Sequence, residues 1–194
     1  VVRAGLGVDV FGKDGGVRAL TVGVGYAVVD HSYFSLANPE QNVGAETFLF
    51  TADYTADKLS LNLSADTQKT NEGGPATDVT DRSSRSSFNG YYDVLGQGFW
   101  ETVTLRFGAI VYWQDRLKSP AAQASADYLD MNYYLGMDKY TDTWSWSLDY
   151  DFIDSNDKSA FNQDTILHNL RASFDYVPND RLILNGSGEI TYEE

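Results

Sequence analysis

Residues 144–152, Trp-Ser-Trp-Ser-Leu-Asp-Tyr-Asp-Phe, alternate between apolar and polar side chains without a break. In an extended chain Trp144, Trp146, Leu148, Tyr150 and Phe152 point one way. Ser145, Ser147, Asp149 and Asp151 point the other, because side chains in a strand repeat every second residue. The stretch therefore reads as a strand with two unlike faces. A sheet in water buries its apolar face on a core. A membrane barrel turns its apolar face to lipid and its polar face to a wet lumen.

The alternation recurs about ten times. The predicted strands are Val2–Val10, Val17–Val29, Ala45–Ala56, Leu59–Thr67, about Ser87–Leu95, Phe99–Trp113, Ala126–Met137, the stretch from Trp144, Thr165–Val177 and Arg181–Tyr192. Short turns are expected at Gly12–Gly16, Asp57-Lys58, Gly96-Gln97-Gly98, Lys139–Asp142 and Pro178-Asn179-Asp180. Long polar loops are expected at 31–44, 68–86 (the longest), 114–125 and 154–164. Short and long connections thus alternate, as in outer-membrane barrels with short periplasmic turns and long outer loops. A soluble Greek-key sandwich has no reason to sort its loops. The strands are also longer than the usual five or six residues and near the roughly ten that cross a bilayer.

Aromatics gather near the predicted strand ends: Phe88, Tyr92, Phe99, Trp100, Trp113, Trp144, Trp146, Phe152, Phe174 and Tyr176. Barrels carry such girdles at both interfaces. Even-numbered positions mostly form the lipid face. Glu101 and Asp127 are its charged exceptions and His168 its other polar one, all near strand ends. The lumen face takes Asp9, Asp53, Asp66, Asp93, Asp130, Asp149, Asp151, Asp175 and Glu189 against Arg3, Arg106 and Arg171. That wall is net acidic and favours cations in a pore; the plainer alternative is that these positions are simply solvated. Small residues at Gly23, Gly25 and Ala27 leave room for a plug or a neighbouring element.

Composition removes several function classes. The formal charge is −14, which opposes binding to nucleic acid. With no Cys there is no disulfide framework, thiolate metal site or Cys nucleophile. No apolar run approaches the roughly 20 residues of a membrane helix, and mean hydropathy is −0.36; strands that are apolar at alternate positions are compatible with both. His31 and His168 are the histidines. Asp30-His31 enters a long loop, but the Asp-x-His element of the omptin proteases has no match there. Asp154-Ser155-Asn156-Asp157 and Asp78 with Asp81 offer oxygen ligands for Ca2+ but lack the EF-hand spacing, and read as solvated loops. No catalytic residue, metal site or cofactor is assigned, and the chain reads as a non-enzyme.

The chain resembles Gram-negative outer-membrane β-barrels of the porin type over essentially all 194 residues, by pattern. A weaker likeness is to barrels that sheathe multihaem cytochromes in porin–cytochrome conduits. It is carried by 146–157 and by 168–182, which contain Leu148-Asp149-Tyr150 and Leu170 to Asp175-Tyr176 in strands joined by tight turns. The fold expectation is an all-β, antiparallel, up-and-down transmembrane barrel forming one domain, 1–194. Strand one runs toward the short-turn side and strand ten toward the long-loop side, and the end Tyr-Glu-Glu lacks a C-terminal aromatic. Both features point to a segment of a barrel of twelve or more strands, the alternative being ten strands that close by themselves with unusual termini. With no signal peptide at the start the chain reads as mature or as a piece of something longer. The functional expectation is a channel in the bacterial outer membrane that passes small solutes or ions, with membrane lipid as its surroundings. The alternative is a sheath or export conduit holding a lumenal or periplasmic partner protein. A soluble carbohydrate-binding sandwich is the remaining reading.

Overall fold

The computed structural model describes residues 2–11, 18–29, 44–70, 80–94, 98–118, 127–157, 164–179 and 182–194. Its strands are β1 (Val2–Phe11), β2 (Arg18–Val29), β3 (Ala45–Ala56), β4 (Leu59–Lys69), β5 (Thr80–Val94), β6 (Val103–Lys118), β7 (Asp127–Tyr140), β8 (Trp144–Asp157), β9 (Thr165–Asn179) and β10 (Leu182–Glu193). They form one antiparallel sheet in chain order, with β1 and β10 as its edges. The sheet is not closed, and both edge strands are exposed along their whole length. Among the described residues no helix is long and apolar enough to cross a membrane. The Gly12–Gly16 turn, Asp30-His31, Gly73-Gly74-Pro75, Asp78 and the side chain of Phe99 lie outside the described residues.

Register fixes which residues share a face. One row across the sheet reads Val8, Val22, Ala52, Leu63, Phe88, Ala109, Tyr133, Phe152, His168, Tyr192, each opposite the next. The apolar face is therefore continuous from edge to edge. Its numbering is not uniformly even: the two-residue turn pairs Ala56 with Leu59, so β4 presents odd positions, as do β6 and β7. Turn length sets that parity, and it can change at every hairpin.

Aromatic side chains on this face form two oblique belts. Toward the long-loop end lie Tyr26, Phe48 and Trp113, then, further from that end in register, Tyr133, Phe152, His168 and Tyr192. Toward the short-turn end lie Phe11 and Tyr54, then Tyr92, then Trp146, Phe174, Trp144 and Tyr176. Both belts step in the same direction across the strands, as strand tilt in a barrel requires. The apolar run on β6, Val103 to Trp113, covers about 33 Å of strand. At a tilt near 40° that spans about 25 Å, the height of an outer-membrane barrel's lipid band. Phe88 lies in the middle of this band, not in a girdle: β5 begins at Thr80, well before the expected Ser87.

Other expectations need correcting. Residues 68–69 and 80–86 are strand, not loop, and the longest connection is the one between β2 and β3. Their Ser, Thr and Arg content mimics a loop. In the sheet these groups satisfy one another, as in Thr67–Ser84 at 3.0 Å and Ser64–Ser87 at 2.6 Å. The acidic stretch 154–157 is also strand: Asp154 and Asn156 lie on one face, Ser155 and Asp157 on the other, so they cannot converge on one ion. The β5–β6 connection, 95–102, is as long as that between β6 and β7, so the short–long alternation breaks there. It contains a 3-10 turn, Gly98–Trp100. Glu101 follows in a turn, not on a strand, and its carbonyl accepts a hydrogen bond from Lys139 Nζ at 2.9 Å. Lys139, only 4% exposed on the apolar face, lies 5.3 Å from the Trp144 ring, so its charge is steered out of the apolar band.

The absence of native Cys makes the two faces testable. Single cysteines in the full-length protein at Ser147, Asp149 and Asp151 should react with a water-soluble maleimide, whereas those at Leu148, Tyr150 and Phe152 should be protected in membranes. Equal rates along β8 would contradict the two-faced sheet.

Candidate functional site

The residues read as lumen-lining, Arg3, Asp9, Asp53, Asp66, Asp93, Arg106, Asp130, Asp149, Asp151, Arg171, Asp175 and Glu189, share one side of the sheet. They do not converge on a point. They are spread through successive rows, the arrangement of a wall.

The middle row runs Asp9, Thr21, Asp53, Asn62, Asn89, Gly108, Tyr134, Asp151, Asn169, Thr191. Thr21 Oγ1 donates to Asp9 at 2.9 Å and Asn62 Nδ2 to Asp53 at 2.6 Å. Tyr134 Oη donates to Asn89 Oδ1 at 2.8 Å. That bond skips a strand. It passes over Gly108, where an added Cβ would stand 2.5 Å from the Tyr134 ring and would also strike the Phe88 carbonyl oxygen.

The next row repeats the device with charge. It reads Tyr91, Arg106, Gly136, Asp149, Arg171, Glu189. Arg106 donates from Nε and Nη2 to Asp138 on β7, and from Nη2 to Asp149 Oδ1 on β8 at 2.7 Å. It crosses Gly136, where a Cβ would meet Asp149 Oδ1 at 2.5 Å. Arg171 faces Asp149 in register and donates to Asp151. The arginines of β6 and β9 thus tie β7, β8 and β9 together, with Asp138 almost fully buried.

The acids fall into two electrostatic groups. Asp138, Asp149 and Asp151 are held by arginine, and Asp81 by Arg116 Nε at 2.9 Å. Asp9, Asp53, Asp93 and Asp130 accept from uncharged donors: Thr21, Asn62, Thr104, and Tyr128 with Ser155. Glu189 likewise accepts from Asn169 at 2.7 Å. Neutral donors fix a carboxylate's direction without cancelling its charge. The carboxylates held by neutral donors are spread across the wall from β1 to β10.

Three members of this wall escape a reading of the sequence. Asp138 lies one residue beyond the expected strand end at Met137, in a β7 that runs on to Tyr140. Yet extending the Tyr128, Asp130, Asn132, Tyr134 alternation by two steps would have found it. Gly108 and Gly136 are legible as glycines in strands, but their partners come from strands distant in sequence. His168 lies on the apolar face, with Tyr150 Oη 2.8 Å from its Nδ1 and the rings of Phe152 and Tyr192 beside it. It is a packing residue of the belt. Among the described residues no group of three or more His, Cys, Asp or Glu could hold a metal ion.

A two-faced sheet with a continuous apolar band, oblique aromatic belts and a hydrogen-bonded polar wall has clear counterparts. The chain matches the anion-selective porin from Comamonas acidovorans with a TM-score of 0.59 and 17% identity, over 91% of this chain and 48% of that one. It matches the outer-membrane expressed OmpT of Vibrio cholerae with a TM-score of 0.56 and 11% identity, over 91% and 53%. The fold is that of an outer-membrane β-barrel. At these identities the likeness is one of fold alone, and the chain spans about half the length of the solved structures it matches. No family model and no curated protein matches the sequence.

The glycine crossings predict a specific sensitivity. Gly108→Ala should destabilise the sheet by about 1–3 kcal/mol, since the new methyl meets backbone as well as Tyr134. Tyr134→Phe should cost only about 0.5–1.5 kcal/mol, one hydrogen bond. Urea titration of the folded band on unheated gels measures both; equal costs would refute the role given to Gly108.

Proposed function

We propose that this chain forms wall of an outer-membrane channel whose lumen is lined by the polar face, and that small solutes or ions pass by diffusion without chemistry. The observation that carries this reading is the charge of that face. Carboxylates outnumber the arginines Arg3, Arg85, Arg106, Arg116 and Arg171, and several of them accept hydrogen bonds from neutral donors. Such a wall attracts cations and repels anions. The selectivity proposed here is therefore opposite to that named for the Comamonas porin. The pore sits in the bacterial outer membrane, surrounded by lipid.

A second reading has its own support. Ile110, Ile153 and Leu167 stand in one row of the polar face, with Asn132 between the two isoleucines and its Oδ1 lacking a hydrogen-bond partner. Apolar side chains with an unsatisfied amide suit contact with a lumenal partner, as in a sheath, better than contact with flowing water.

Conductance of the full-length protein in a planar bilayer under a salt gradient separates the two. An open channel should give a reversal potential of cation sign. Converting Asp9, Asp53 and Asp93 together to Asn should move it toward zero, and more so at low salt because the charges are then less screened. Protein that inserts but does not conduct, and that conducts after Ile110→Ser with Leu167→Ser, would favour the filled lumen.

A further inference from the structure

Tyr91, Tyr112, Tyr128 and Tyr134 stand on the polar face of β5 to β7, among residues that are otherwise short or charged. In register they fall into two pairs. Tyr91 is opposite Arg106, and Tyr134 is opposite Gly108. Tyr112 and Tyr128 lie further toward the long-loop end, past Ile110. At the inner pair the neighbouring carboxylates, Asp138 and Asp149, are already held by the Arg106 guanidinium.

The outer pair is built differently. Tyr112 and Tyr128 are diagonal neighbours, with ring centroids 6.1 Å apart and planes at 61°. Two rings at that angle form an aromatic corner on the wall. Their hydroxyls fix them: Tyr112 Oη donates to Gln114 Oε1 at 2.9 Å, and Tyr128 Oη to Asp130 Oδ2 at 2.7 Å. Ser155 Oγ donates to the other oxygen of Asp130. Both donors to this carboxylate are therefore neutral. Asp130 is opposite Tyr112 in register, and Asp157 is opposite Tyr128. Arg85, on the far side of Tyr112, faces Asp66 in turn.

We infer that Tyr112, Tyr128 and Asp130 form a subsite for small organic cations of the quaternary ammonium class. The inference rests on reading the polar face as the lumen of a channel, and it names the solute class that this lumen favours. An aromatic face attracts a cation through its quadrupole, and a carboxylate beside it adds a direct charge. The acidic wall draws any cation; the rings choose among them. An alkali ion keeps its water and gains little from a ring. A methylated ammonium presents apolar groups that carry the charge, and these pack on the ring itself. An anion would meet Asp130 and Asp157.

The test uses the full-length protein conducting K+ in a planar bilayer. The probes are choline and the uncharged alcohol in which carbon replaces its nitrogen. Choline should lower the K+ current in a saturable way, and the alcohol should not. Tyr112→Leu and Tyr128→Leu should each weaken that inhibition about two- to fivefold, the size of one exposed cation–ring contact. Tyr112→Phe keeps the ring and should retain the inhibition, as should Tyr91→Leu at the inner pair. Asp130→Asn should weaken it about tenfold, and that difference should shrink as KCl rises. The K+ current of each variant reports that it has folded and inserted. Equal inhibition by the alcohol, undiminished inhibition in both leucine variants of the outer pair, or an equal loss in Tyr91→Leu would each overturn the subsite. A steady K+ current that choline leaves untouched overturns the subsite and leaves the channel standing. Protein that inserts but passes no K+ overturns the channel reading, and the subsite falls with it.

Discussion

In a bilayer no water is available to pair with backbone N–H and C=O groups, and each unpaired group there costs several kcal/mol. The whole molecule answers to that constraint. Each strand bonds its chain neighbours, so interior strands are satisfied on both sides, and only β1 and β10 keep a row of groups without ladder partners. The same constraint makes the strands long. A strand that ended inside the lipid band would strand its own backbone, whereas a soluble sheet can stop after five or six residues.

With the backbone committed to ladders, side chains supply what distinguishes this wall. On the polar face the recurring device is a glycine that lets a long side chain cross to the second strand over. Tyr134 crosses Gly108 and Arg106 crosses Gly136. The same economy appears on the apolar face, where the Phe107 ring covers Gly90. Such crossings join three strands through one side chain, which a register of nearest neighbours alone cannot do. They bring Tyr134 and Arg106 to partners two strands away, while Asp9 and Asp53 keep to neutral donors on the neighbouring strand.

The sequence was most legible where period and chemistry agree. In β8, β2 and β4 the alternation assigned both faces, and the twelve residues grouped on the polar face lie on one side of the sheet. It was least legible where composition and pairing disagree. The serines of 83–86 and the acids of 154–157 look like loop because nothing local satisfies them. Ser84 becomes a strand residue once Thr67 stands opposite. Asp138, just past the expected strand end at Met137, was missed for the same reason, since its partner Arg106 comes from another strand.

By itself the sequence determined that this chain makes strands with two faces, which residues lie on each face within a strand, and that one face is acidic. Those properties follow from a side-chain period of two and need no partner. The tertiary structure decided how the strands register. That register set the parity of β4, β6 and β7, the oblique course of the aromatic belts, the two arginine clasps, and the meeting of the Tyr112 and Tyr128 rings beside Asp130. Register depends on turn lengths and on hydrogen bonds between residues far apart in the chain, and no local window of sequence contains them.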